Sequence, residues 1–317
     1  MPDLLLFSMH MIELNNGLTS EIKNLELLAK QVVEGFITGM HKSPFHGFSV
    51  EFSEHKLYNK GESTRHIDWK LFAKTEKLYT KKYEEETNLR CHIIIDNSAS
   101  MHFPTSKNQN INNLNKIGFS AIASACLMEI LKRQRDAVGL SVYSDTYEYY
   151  APEKGSERHR KMILTQLEKL ISNSSTSSTQ TYEFLHEIAE KIHRRSLIFI
   201  FTDMFQTSKK EDELFDALRH LKHNKHEVIL FHTYDKELEL LFNFNNTPKK
   251  FVDVETGDEI NLYAENVQEK YNELTSEYFK KLKNKCLQYK IDYIPVNIRK
   301  GYKDILTSYL ISRRKIL

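Results

Sequence analysis

The sequence predicts an α/β protein. The expected architecture is a doubly wound, mostly parallel sheet with helices on both faces, preceded by an N-terminal α+β extension. Two observations carry this. From residue 89 onward, segments with strand-like and helix-like spacing alternate. Within that alternation, HIIID (92–96) and LIFIF (197–201) are apolar runs that end at or just before an acid, Asp96 and Asp203. Such runs suit strands covered on both faces.

The elements follow in order. SEIKNLELLAKQVVEGFITGM (20–40) places Ile22, Leu25, Leu28, Val32, Val33 and Phe36 at helical spacing, with Ser20 as N-cap. HKSPFHGF is a turn-rich break. FSVEFSEHKLY alternates like a strand pair, and TRHIDWKLFAKT reads as a short helix capped by Ser63 or Thr64. KLYTKKYEEET suits an edge strand with lysines toward water. These make an N-terminal segment, 1–88, that packs on a second domain, 89–317.

In the second domain, LRCHIIID is a strand and NLNKIGFSAIASACLMEILKRQ a helix with small residues facing the sheet. DAVGLSVYS and TYEYYAP are strands. ERHRKMILTQLEKLIS and TYEFLHEIAEKIHR are helices. SLIFIFTD, HEVILFHTY and IDYIPV are strands, the first two separated by the helix KKEDELFDALRHLKHNK. FVDVETGDEINLY is a hairpin. NVQEKYNELTSEYFKKLKNKCLQYK and GYKDILTSYLISRRK are the last helices.

Composition narrows the function. The 317 residues carry 45 Lys plus Arg against 43 Asp plus Glu, so the charge is near balance and a bulk nucleic-acid binder is not expected. Cys91, Cys126 and Cys286 are odd in number and widely spaced, which argues against a disulfide framework and for a reducing compartment. The apolar patch at the N-terminus lacks a basic flank and is too short to span a membrane. A cytoplasmic location is expected.

Three polar loops fall beyond strand ends or before a helix, where ligands of open parallel sheets bind. They are Asp96-x-Ser98-x-Ser100, the Ser/Thr loop SNSSTSSTQT (172–181), and Thr202-Asp203. Carboxylates and hydroxyls without soft ligands suit a hard cation, Mg²⁺ first, with Mn²⁺ or Ca²⁺ as alternatives. So few carboxylates leave the ion under-neutralised, and an acidic group of a partner would complete the site. Taken singly, each loop also reads as an ordinary helix cap or linker.

D-x-S-x-S after an apolar strand, a later Thr loop and a T-D after a second strand together resemble the metal-ion-dependent adhesion site of von Willebrand factor A domains. Upstream, GESTRHIDWKLFAKTEKLYTKKYEEE (61–86) resembles the bacterial family named domain of unknown function 58, which joins an R-x-I-D-W segment and an acidic strand to such a domain. The resemblance covers roughly residues 20 to 315. It implies a von Willebrand factor A-like fold with Asp96, Ser98 and Ser100 as direct ligands and Asp203 acting through water. It implies a loop threonine as a further ligand. Thr179 fits best, counted from the following helix with Leu185 on the expected apolar position, and Thr176 and Thr181 are alternatives. The family places glycines before that threonine, and none is present here. The resemblance also implies an adaptor or co-chaperone of a MoxR-type AAA+ ATPase, reached through an acidic side chain.

Other features read as structural. Trp69, with Arg65 and Asp68, reads as a packing anchor with a helix pair. Glu84, Glu85 and Glu86 read as a solvated strand end. His186, Glu190 and His193 share a helix face, but H-E-x-x-x-x-x-H is not the zinc protease motif. His220, His223 and His226 read as surface residues at a helix end. No catalytic residue is expected. Ser98 stands where an aspartate-based phosphotransferase needs a second acid, and G-x-S-x-G and a Walker A loop are absent. Two alternatives to the metal-dependent interaction module are a scaffold with a degenerate metal site and a metal-dependent hydrolase.

Overall fold

A computed structural model of the chain describes residues 24–41, 55–57, 69–81, 89–105, 113–144, 147–172, 181–204, 211–244, 247–252 and 258–316. The chain divides into two compact units. One is Phe36–Asn88, and the other combines the residues before Phe36 with those from Leu89 onward. Ser20, Ser63, Thr64, Arg65, Asp68 and Glu84–Glu86, given roles from the sequence above, lie outside the described residues.

The chain enters through helix α1 (Leu25–His41). In the smaller unit, β1 (His55–Leu57) pairs antiparallel with β2 (Tyr79–Lys81), and α2 (Trp69–Thr75) lies between them in sequence. Trp69 meets Phe72 edge-on, with ring centroids 6.1 Å apart. Its own unit leaves it exposed. A packing anchor was expected there, and among the described residues its one ring neighbour, Phe72, leaves the indole exposed.

The larger unit is built on β3 (Arg90–Asp96), β4 (Ala137–Tyr143), β5 (Tyr147–Lys154), β6 (Leu197–Thr202), β7 (Glu227–Tyr234) and β10 (Asp292–Asn297). Their order is β10-β7-β6-β3-β4-β5. All neighbours are parallel except β4 and β5. The chain moves outward from β3 through β4 to β5, then returns to lay β6 on the other side of β3. The doubly wound, mostly parallel sheet is thus present, and its switch point lies between β3 and β6. A small antiparallel hairpin, β8 (Lys249–Val252) with β9 (Glu259–Leu262), follows β7.

Helices cover both faces. α3 (Lys116–Arg133), α4 (Glu157–Ser172) and α8 (Lys303–Ile316) lie on one face, where Phe199 of β6 meets Tyr309 of α8 at 5.9 Å. α5 (Thr181–Lys191), α6 (Glu211–His223) and α7 (Ala264–Gln288) lie on the other. There Leu185, Phe215, Leu218 and Leu282 pack on Ile94, Ile198, Ile200 and Leu230. Each such side chain taken from water contributes roughly 1.5–3 kcal/mol. Among the described residues, no helix is long and apolar enough to cross a membrane.

α3 departs from the one-faced helix expected. Every residue from Lys116 to Leu131 is buried. Other helices cover it as well as the sheet, and α1 contributes through the pairing of Glu26 with Lys132. Ser120 and Ser124 survive this burial because each hydroxyl donates to the carbonyl four residues back, at 2.8 and 2.7 Å.

Three helix ends use a basic residue where glycine is usual. Arg135, Lys225 and Lys290 follow α3, α6 and α7 with φ of 57°, 61° and 56°. Each is exposed, and each cation complements the negative end of its helix.

Candidate metal centre

β3 and β6 are adjacent and parallel, so Asp96 and Thr202 arrive at the same edge of the sheet. Asp96 is buried. Its Oδ1 accepts from the Ser98 backbone N–H at 2.9 Å, and its Oδ2 accepts from the Thr202 hydroxyl at 2.8 Å. The first bond closes a tight turn, which the spacing of an acid two residues before a serine favours. After that turn, a 3₁₀ segment (Ala99–His102) carries Ser100 alongside Ser98, with the two Oγ atoms 3.1 Å apart. Asn97 faces away. Its side chain meets Glu148 and His102.

Asp203 follows Thr202 and is also buried. The next residue, Met204, is held at φ 56°. A side chain there costs on the order of 1 kcal/mol. Two bonds fix the turn. The Met204 N–H donates to Thr202 Oγ1 at 3.1 Å, and the Tyr278 hydroxyl of α7 donates to the Met204 carbonyl.

A cation of the protein's own stands beside these acids. Lys116 opens α3, behind the N-cap Asn115, whose side chain accepts from the Gly118 N–H. The Lys116 side chain is buried, and its Nζ donates to Asp203 Oδ2 at 2.9 Å and to Glu239 Oε1. Glu239 belongs to a π-helical turn (Lys236–Leu240) after β7. That turn is fastened by Asp235, whose Oδ1 accepts from the N–H groups of Glu237 and Leu238, and by Tyr271 of α7, which donates to the Glu239 carbonyl at 2.9 Å. Tyr271 in turn meets Phe242 in a tilted ring contact at 4.4 Å, and Phe242 stacks on Phe251 of β8 at 5.3 Å.

Burial, aided by the Asp203 charge, pushes the Asp96 carboxyl up to about 7, against the bonds from Ser98 and Thr202. Burial also works against the Lys116 ammonium, but the charges of Asp203 and Glu239 outweigh it and hold the group above the ordinary lysine value. His232, opposite Thr202 in the register of β6 and β7, is pushed down to about 4 by burial.

Of the residues expected to bind metal, Asp96, Ser98 and Ser100 share one loop, and Asp203 lies one residue beyond the Thr202 that touches Asp96. Thr176 and Thr179 lie outside the described residues, and Thr181 opens α5. Thr202 is the other half of the Thr202-Asp203 loop read from the sequence, whereas Lys116 and Glu239 carry no such signal there. Among the described residues, no group of three or more His, Cys, Asp or Glu is placed to hold a metal. The Asp96 loop offers one carboxylate and hydroxyls, so it is not a site of that kind.

One histidine reading changes. His226 is buried, not at the surface, and its Nδ1 accepts from the Ser196 N–H at 3.2 Å. It stands between α6 and β7, beside the Ser196 that leads into β6. His186 and His220, from groups read separately, meet at 3.0 Å between their Nδ1 atoms.

One further constellation has the connectivity of a hydrolase triad. His92 Nε2 lies 2.7 Å from Ser141 Oγ, and His92 Nδ1 lies 2.5 Å from Glu153 Oε1. All three side chains are buried, so no substrate reaches the serine. The group satisfies polar atoms inside the sheet.

Comparison with known proteins gives a family. The model of the family described as "Protein of unknown function DUF58" matches residues 54–279. Uncharacterized proteins of Mycobacterium bovis (Mb1516) and Mycobacterium tuberculosis (Rv1480) are each 30% identical over 89 residues. The match spans 28% of this chain and 28% of each relative. Among solved structures, the conserved hypothetical protein BatB from Bacteroides thetaiotaomicron is 15% identical with a TM-score of 0.45, covering 72% of this chain and 98% of that one. An uncharacterized membrane-spanning protein from Vibrio fischeri is 13% identical with a TM-score of 0.23, covering 71% and 97%. At these scores neither carries an argument about function.

Proposed function

The chain belongs to the DUF58 family, and on that premise we propose that it is a metal-dependent protein-interaction module, with no catalytic role of its own. In this reading Asp96, Ser98 and Ser100 hold Mg²⁺, with Mn²⁺ or Ca²⁺ as substitutes, in a von Willebrand factor A-like arrangement. A partner's Asp or Glu completes the coordination. The partner is a MoxR-type AAA+ ATPase or its client, met in the cytoplasm. Three buried free cysteines agree with a reducing compartment.

The observation that carries the reading is the pairing of a buried carboxylate with converging hydroxyls. Ligands at 2.0–2.1 Å around an octahedral Mg²⁺ stand about 3 Å from their neighbours. The 3.1 Å between Ser98 Oγ and Ser100 Oγ fits that edge. A carboxyl pushed up to about 7 by burial is also one that a bound cation would return to its charged form. When bound, the ion supplies the positive charge that attracts an acidic side chain. The protein holds Asp96 still through Ser98 and Thr202 and sets the two serines beside it.

The experiment is association with the ATPase, for wild type and Asp96→Asn, in Mg²⁺ and in chelator. Binding that needs both Mg²⁺ and Asp96 is expected. Association unchanged by chelator and by the variant supports a second reading, a scaffold with a degenerate site. The ion pair between Lys116 and Asp203 favours that second reading, because it already satisfies one of the expected acids. No association under any condition removes the adaptor role.

A further inference from the structure

A lysine at the first position of a buried helix is anomalous on two grounds. Helix N-termini repel cations, and a buried ammonium loses its hydration. Lys116 stands there because two carboxylates from distant parts of the chain enclose its Nζ, Asp203 at 2.9 Å and Glu239. The Phe103 ring also lies beside it, with its centroid 5.9 Å from the ammonium. Buried ion pairs add little net stability, so packing alone does not explain the arrangement.

We propose that Lys116 is a tethered cation that sets the divalent-metal affinity of the Asp96 site. This rests on the metal reading above. Lys116 does so in two ways. It engages Asp203, so that this acid is drawn away from an ion at Asp96. It also places a fixed positive charge within the same buried cluster, against which a free cation must enter. The formal charges make the consequence concrete. Among the described residues, Asp96, Asp203 and Glu239 with Lys116 total −2, which one divalent ion neutralises. Without the lysine they total −3. Lys116 is a positioning residue here, not a ligand. Glu239 is its second anchor and ties metal affinity to the turn held by Tyr271.

The test is Mg²⁺ and Mn²⁺ binding to the full chain by titration calorimetry, with the thermal shift produced by each ion as a second readout. Wild type is compared with Lys116→Met and with Lys116→Met/Glu239→Gln. The double variant removes the cation and one acid together, so the cluster keeps its formal charge of −2 while Asp203 is released from the ion pair. Lys116→Met is expected to bind Mg²⁺ on the order of tenfold more tightly or better, from the loss of a like charge nearby, and the double variant, at unchanged total charge, by a smaller margin from the release of Asp203. Adding Asp96→Ala to either should abolish the gain. Equal affinities in wild type and both variants overturn the role of Lys116 and leave the metal reading standing. Absence of binding in all of them, variants included, overturns the metal reading and the inference with it.

Discussion

The Thr202 hydroxyl donates to Asp96 Oδ2 at 2.8 Å, joining the ends of two parallel strands whose sequences lie 106 residues apart. Thr202 Oγ1 also accepts from the Met204 N–H, so one hydroxyl fixes both the acid of β3 and the turn that presents Asp203. Thr202→Val keeps the shape and removes both bonds. The expected loss is about 1–3 kcal/mol of stability, because a buried carboxyl oxygen and an amide are left unpaired. Urea denaturation checks it. A change under 0.5 kcal/mol would mean that the hydroxyl is not the link.

Gly139 tests the packing of the His92 group. A Cβ built there would lie 2.6 Å from His92 Nδ1 and 2.8 Å from the Ala151 carbonyl oxygen. The carbonyl is backbone and the imidazole is held by Glu153 and Ser141, so neither yields easily. Gly139→Ala is expected to cost about 1–3 kcal/mol or more through overpacking. Melting of the variant beside wild type gives the answer, and an unchanged melting temperature would contradict the geometry.

His232 supplies a pH dependence. Its folded pKa is held down to about 4, while the unfolded chain should titrate near 6.5. The unfolded state therefore binds the extra proton first as pH falls. The stability tied to neutral His232 is fully present above 6.5 and is lost as pH falls from 6.5 through 4. The loss is on the order of 3 kcal/mol at about 1.4 kcal/mol per unit. His232→Gln should flatten the stability curve in that window by about one proton's slope, measured by denaturation at a series of pH values. An unaltered slope would assign the effect to other groups.

The helix ends offer a stabilising change. Arg135, Lys225 and Lys290 hold left-handed backbone that glycine adopts without steric cost. Each substitution to glycine should add about 0.5–1 kcal/mol, less what the lost cation contributed at the helix terminus. The three sites lie at separate helix ends, so their effects should add. A triple variant that melts below wild type would show that the side chains matter more than the backbone.

Much of this fold is legible in the sequence because it is written locally. Apolar runs such as Ile93–Ile95 mark central strands, and ERHRKMILTQLEKLIS reads as the helix it forms, Glu157–Ser172. The Asp96 loop is legible for the same reason, since its three groups sit within five residues. What escapes is non-local. Lys116 meets partners 87 and 123 residues away, and His92 meets Ser141 and Glu153 at 49 and 61. No periodicity records such meetings. The clue available was negative: a lysine between Asn115 and a run of apolar residues, where a helix start disfavours it. Thr202 is legible as half of Thr202-Asp203, but the motif marks the acid, and the hydroxyl is what touches Asp96.

The placement of β3 between β4 and β6 also fixes when the Asp96 loop can be finished. A ribosome releases Asp96 early, but the neighbour that holds its Oδ2 is 106 residues later in synthesis. Lys116 waits longer for Glu239, which comes 123 residues after it. Parallel pairing over such spans is slow, because loop closure precedes any reward from contact. The serines and the carboxylate are therefore assembled only once most of the sheet stands, and a nascent or truncated chain ending before β6 carries the motif without the site.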